Sequence, residues 1–258
     1  MARLFDDGAT EYLEIESAVV TGPPFAFACW FYTDDLSNYQ TVISLANSGA
    51  YNEFYILRLE GSGNNVQVNI RSSASNQTVD TTTTYGSNAW HHALGIVASA
   101  TDYRVFLDGG GKGTKTTSVS PSGINRTSVG RIGDNTPGWY TSGRIAEAAI
   151  WDLSGWPGAS DAARADEFER LAVSGLAKGY SPDHFPLGLP AYWRLVRDED
   201  QDRQGSYDLT PYNTPSIATH PPMHYPRRKN VFVPSSLGGI LPHDMVGGMQ
   251  ELTGGIHG

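Results

Sequence analysis

The chain has 258 residues, 39% hydrophobic and 17% charged, with 29 glycines and 15 prolines, a turn-rich make-up that fits one large β-sandwich or two small domains. Its formal charge of -9 leaves phosphates no cationic surface beyond a short Arg227-Arg228-Lys229 cluster, which argues against a nucleic-acid partner. A single cysteine excludes a disulfide scaffold, and no run of about eighteen apolar residues offers a membrane-crossing helix.

The N-terminal stretch MARLFDDGATEYLEIE has no apolar run behind a positive segment, so the expectation is a protein made and kept in a cytoplasm. From about residue 11 to 153, short runs with period-two alternation recur between turn clusters. Val66, Val68 and Ile70 against Gln67, Asn69 and Arg71 are the cleanest case, one face in and the other out. The same pattern predicts strands over 12–16, 25–33, 41–46, 54–59, 90–98, 103–107, 128–132 and 144–151. Strands at this spacing argue for two packed antiparallel sheets. The strand over 25–33 is apolar on both faces and should be central, with Cys29 an inert small hydrophobe inside it. Between Leu107 and Thr117 the run DGGGKGTKT supplies the positive-φ residues of a tight or bulged hairpin; no helix pattern follows that would make it a phosphate cradle.

One helix interrupts the strands over about 160–178, with Ser160 as its cap and Phe168, Leu171, Ala172 and Leu176 as its apolar stripe. Its expected place is across a sheet edge or one end of the sandwich. A further strand over 191–196, AYWRLV, leads into the acidic turn DEDQDRQGSYDLT. The first domain is therefore read as 1–219. Residues 220–258 show no sustained period and predict an extended arm, ordered only where another chain meets the cost of about 1–2 kcal/mol per residue. Its anchors would be Arg227, Arg228 and Lys229 against an acidic seam, and Val231, Phe232, Val233, Leu237, Ile240 and Leu241 in pockets.

The segments FAFACWFYTDD, VISLAN, WHHALGIVASATDYRVFLDGG and VGRIGDN…GRIAEAAIWDL stand in this order over roughly residues 1 to 155. Together they resemble the laminin G-like jelly-roll domains of the concanavalin A-like lectin/glucanase superfamily. The resemblance implies an all-β, two-sheet antiparallel jelly-roll sandwich in which the first segment is a core strand. WHH would open a long hairpin, DG would close it, and the last segment would pair back near the N-terminal strand. YWRLVRDEDQDRQGSYDLT looks like a piece that accompanies the superfamily, ending in Asp202, Gly205, Asp208 and Leu209.

Such folds host binding modules and enzymes alike, so chemistry must come from sites. Glycoside hydrolysis needs two acids facing one cleft. Only Glu14 and Glu16 share a strand face here, and solvated charge is the commoner use of such a pair. Asp198, Asp200 and Asp202 alternate on a turn and can converge oxygens on calcium, although an EF-hand loop would want Gly where Arg203 stands and Glu where Leu209 stands. His91 and His92 point to opposite faces of a strand; one should be buried and hydrogen-bonded, the other wet. Trp139 and Tyr140 in the loop DNTPGWYTSG, and Trp156, are flat aromatics of the kind that stack on sugars, with Asp134 and Asn135 for hydroxyls. Capping the core ends or meeting a neighbouring subunit is the commoner use of such rings.

Taken together, these readings predict a non-enzymatic protein. With its arm and the basic-aromatic stretch YPRRKNVFVPSS, it resembles the laminin G-like proteins of tailed-bacteriophage particles: a virion component, capsid decoration or fibre, attached through the arm to capsid or tail subunits as a homo-oligomer. The alternative is a carbohydrate-binding adhesion module recognising a host-surface glycan. No cofactor is required on either reading, calcium being the one candidate ion.

Overall fold

The computed structural model describes residues 2–73, 75–196 and 200–226. In chain order its strands are β1 (Ala2–Phe5), β2 (Tyr12–Ile15), β3 (Phe25–Tyr32), β4 (Gln40–Ala46), β5 (Glu53–Leu59), β6 (Val66–Ser72), β7 (Ser75–Asp80), β8 (His91–Ser99) and β9 (Asp102–Leu107). They continue with β10 (Gly110–Lys115), β11 (Arg126–Val129), β12 (Gly143–Asp152), β13 (Ala191–Trp193), β14 (Thr210–Tyr212) and β15 (Ser216–Ala218). The helical segment comprises α1 (Asp161–Phe168), a π-helical stretch over Glu169–Val173 and α2 (Ser174–Ala177).

The strands form two antiparallel sheets, a jelly-roll sandwich. One runs β10-β9-β8-β3-β12-β1-β15, with β13 also on β12; the other runs β14-β2-β11-β4-β5-β6-β7. Alternation drives both. Tyr55, Leu57 and Leu59 of β5 and Val66, Val68 and Ile70 of β6 point into the core between the sheets, where they meet Phe25, Phe27, Cys29 and Phe31 of β3. The expected central strand is β3, flanked by β8 and β12. The expected long hairpin is β8–β9, and the DG turn that closes on β10 places Asp108 and Gly109 at φ 50° and 74°. Five strands carry no usable period-two signal and were not expected: β1, β7, β10, β14 and β15. Most are short or polar edge pieces whose pairing comes from a neighbour rather than from their own pattern.

Helix α1 starts at Ser160, whose side chain accepts the Ala163 N–H at 3.2 Å. It does not blunt an edge. With the π-helical stretch and α2 it covers the outer face of the first sheet, where Ala26, Ala28, Leu94, Ile96 and Trp151 are apolar and need a lid, supplied by Phe168, Ala172 and Leu176. Trp156 belongs to this second core. It is 5% exposed, donates its indole N–H to Leu187 at 2.9 Å and meets Phe168 edge-on.

The first compact unit extends to residue 226, beyond the expected boundary at 219. Residues 220–226 return to the body, where the His224 backbone pairs with Gly179 and Ser181 and Glu147 meets His220 and Tyr225. This buried carboxylate sits at φ 54° in the bulge of β12, accepts hydrogen bonds from the Tyr192 and Tyr225 hydroxyls, and lies 3.0 Å from His220. The proposed arm anchors Arg227, Arg228, Lys229, Val231, Phe232, Val233, Leu237, Ile240 and Leu241 lie outside the described residues.

Candidate functional site

The outer face of the second sheet is unlike that of the first. Ser44 of β4, Arg58 of β5, Gln67, Asn69 and Arg71 of β6, Ser128 of β11 and Glu14 of β2 all alternate outward from the core residues. A polar face of this kind needs no helix to cover it; it needs hydrogen-bond partners. Glu14 accepts from Ser128 at 2.8 Å and from Arg131 at 2.6 Å. Gln67 accepts the Arg58 Nε–H at 2.7 Å and donates in turn to Asp80.

The segment 130–142 lies over part of this face. Its backbone is fastened to the sheet at Gly133 by the Ser44 hydroxyl (3.1 Å) and at the Trp139 carbonyl by the Thr41 N–H (2.8 Å), and it closes on itself where the Thr141 N–H donates to Gly130 (2.9 Å). Asp134 fixes the tip, one oxygen accepting the Thr136 N–H at 2.8 Å and the other the Asn52 N–H at 3.0 Å. Trp139 sits at φ 50°, a conformation that costs a non-glycine residue about 1–3 kcal/mol and that its surroundings must enforce. The result is a half-buried indole standing between two cavities. On one side, about 310 Å³ is lined by Asp7, Asn38, Tyr39, Trp139 and Tyr140. On the other, about 250 Å³ is bordered by Tyr51, Asn52, Arg71, Asp134 and Trp139.

Aromatic rings and cations alternate around the indole. Arg58 lies between rings, its guanidinium 4.4 Å from the Tyr39 centroid and 4.6 Å from that of Trp139. Burial lowers the Arg58 guanidinium to about 10, and the like charge of Arg71 on the next strand pushes the same way. Tyr39 and Tyr51 are 41% and 58% exposed, each at the mouth of one cavity. Tyr140 continues the line toward Tyr12, which stacks on Tyr212 at 4.6 Å and lies under Arg131 at 3.6 Å.

Three of the four sugar-site candidates come together here: Trp139, Tyr140 and Asp134. Asp134 shapes the loop with both oxygens, and so does not offer the free acceptor expected of it. Asn135 is exposed and borders neither cavity; its side-chain oxygen takes the Thr136 hydroxyl at 3.2 Å. Sequence reasoning missed Tyr39, Tyr51, Arg58 and Arg71. The two arginines occupy the polar positions of alternating strands, a signal that marks the outer face without saying what stands over it.

The other candidates have different duties. Asp198 lies outside the described residues. Asp200 forms an ion pair with Arg3, buried on both sides. Asp202 caps its own turn, accepting N–H groups of Tyr192, Gln204, Ser206 and Tyr207. The oxygens of Asp200 and Asp202 thus serve the fold, and among the described residues no cluster of His, Cys, Asp and Glu is placed to hold a metal. Glu14 is not solvated. It is 3% exposed and neutralised by Arg131, while exposed Glu16 pairs with Arg126. His91 and His92 do face opposite ways, but the hydrogen bond falls on the half-buried one: His91 Nδ1 lies 2.8 Å from Asp108. Buried His92 leaves its Nδ1 without a partner, and burial lowers its imidazole to about 4. The Cys29 thiol is fully buried and pushed well above its ordinary range by desolvation.

Two sheets in jelly-roll order, one sealed and one carrying an open aromatic face, define a lectin-like sandwich. A family model described as the concanavalin A-like lectin/glucanases superfamily matches residues 7–154, and the chain belongs to this family. A putative carbohydrate-binding protein from Bacteroides ovatus superposes with a TM-score of 0.51 at 17% identity, over 81% of this chain and 57% of that one. Domains LG4-5 of the mouse laminin alpha1 chain give a TM-score of 0.45 at 14% identity, over 58% and 40%. Domain 4 of a GH43 extracellular arabinanase from Geobacillus stearothermophilus, solved with arabinotriose, gives 0.46 at 18%, over 59% and 70%. The chain thus spans less than two thirds of the laminin and Bacteroides structures, and likeness at these identities concerns the fold. No curated protein matches the sequence.

Proposed function

We propose that this protein is a carbohydrate-binding module that holds a glycan against Trp139 on the outer face of its second sheet, without altering it chemically. The observation that carries the reading is the indole itself, held by a strained backbone between two cavities and backed by Arg58. A sugar presents an apolar C–H face and a hydroxyl rim. Trp139, Tyr39 and Tyr51 supply flat surfaces for the first, while Asn38, Asn52 and Arg71 border the cavities for the second. The acids nearby do not form a hydrolytic pair: Asp134 has both oxygens committed to backbone amides, and Glu14 and Glu16 are each bound by arginine. The anchors named for attachment to a virion, from Arg227 to Leu241, lie outside the described residues, and the geometry around Trp139 supports the glycan reading.

A glycan array probed with the full chain tests this. Binding should be lost or weakened roughly thirtyfold by Trp139→Ala, the effect of removing a contact worth about 2 kcal/mol. It should survive a chelator, since Asp200 and Asp202 are occupied by Arg3 and by backbone amides. Full retention by the folded Trp139→Ala variant would sink the proposal, as would a wild-type chain that binds nothing on the array.

A further inference from the structure

We propose that Arg71 sets the specificity of this site and that its glycan carries a carboxylate, an inference that rests on the glycan-binding reading above. The first reason is an imbalance among the arginines. Elsewhere among the described residues each arginine has a partner: Arg104 holds Asp102, Asp166 and Glu169, Arg131 holds Glu14, and Arg58 holds Gln67. The Arg71 side chain makes no hydrogen bond or ion pair with a described residue. Its Nε–H is covered from solvent without an acceptor, and its recorded neighbour is the Tyr51 ring, 5.9 Å from the guanidinium carbon.

The second reason is where this cation stands. Arg71 borders the 250 Å³ cavity beside Trp139, and Arg58 occupies the neighbouring strand close enough for the two charges to be felt. The acid bordering the same cavity, Asp134, turns its two oxygens to backbone N–H groups and forms no ion pair with Arg71. Asn69, between the two arginines on the same face, keeps its side-chain oxygen buried without a donor, although its amide nitrogen is fully engaged by Asn76, Gln77 and Thr78. A planar guanidinium with free donors matches a carboxylate, which it can grip with two parallel hydrogen bonds. The exposed Tyr51 ring beside it offers the stacking surface for the pyranose that bears this group.

Titration calorimetry on the full chain distinguishes the sources of such a group. The probes are tetragalacturonate, its carboxyl-reduced neutral counterpart, sialyllactose with lactose as its neutral counterpart, and a sulfated galactan oligosaccharide. At least one carboxylated probe should bind about ten- to hundredfold more tightly than its neutral counterpart. Arg71→Gln should erase that difference by weakening the carboxylated probe to the level of its neutral counterpart, and Arg71→Lys should restore only part of it. Equal affinity for carboxylated and neutral probes overturns the inference, as does a preference retained by Arg71→Gln or a preference for the sulfated probe. Neutral binding that vanishes with Trp139→Ala while the carboxylate makes no difference would leave the glycan reading standing and remove only this step. Absence of binding to every probe removes both. Because Arg71 holds no partner in the fold, Arg71→Gln should melt with the wild type.

Discussion

The two outer faces of the sandwich obey the same alternation and reach opposite ends. On the first sheet the outward residues include the apolar Ala26, Ala28, Leu94, Ile96 and Trp151, and a helical segment anchored by Phe168 seals them into a second core. On the second sheet they are arginines, amides and acids, bound to one another and overlaid in part by the segment that carries Trp139. A face closed by apolar burial is spent on stability. A face closed by a polar network can leave rings and donors at its surface, which is the condition for binding.

The comparison breaks first on the sealed side. Phe168→Ala removes the keystone between Trp151 and Trp156 and should destabilise the protein by about 3–5 kcal/mol in urea titration, with little effect on glycan affinity once the protein is folded. A smaller loss, about 3 kcal/mol, is expected when Glu14→Gln strips the charge from the buried pair with Arg131, because an arginine is then left under cover without its acid. The double variant Glu14→Gln, Arg131→Met should recover much of it. If the single variant costs nothing, the network on the open face is decoration rather than support.

The third test is a pH dependence on the sealed sheet. His92 is held near 4 by burial, against about 6.5 in an unfolded chain. The unfolded state therefore binds the proton first, and the stability present above pH 6.5 is lost as pH falls toward 4. Between pH 7 and pH 5 that loss should be about 2 kcal/mol, read from denaturation midpoints. His92→Gln should flatten this part of the curve. An unchanged slope would mean that the imidazole is not the group responsible.

Much of the fold was legible because alternation, turn glycines and a capped helix are local signals. The strands β3 to β6, β8 and β9, the hairpin at Asp108–Gly109 and the Ser160 cap all follow from neighbours in sequence. The placement of the helix was not legible. An apolar stripe says that a helix must be covered, and Ala26, Ala28 and Leu94, which it covers, lie far from it along the chain. The site was half legible: Trp139 and Tyr140 stand out as rings in a loop, whereas Tyr39, Tyr51, Arg58 and Arg71 look like ordinary strand and turn residues.

By itself the sequence determined two antiparallel sheets, their central strand and an unreactive buried cysteine, because each depends on which residues recur at a spacing of two. Tertiary structure alone decided which carboxylates are occupied, which arginine is left free and which ring stands between cavities. Those properties belong to pairs such as Glu14 and Arg131, or Arg58 and Trp139, whose members are distant in the chain and meet only when the sheet and its covering loop are in place.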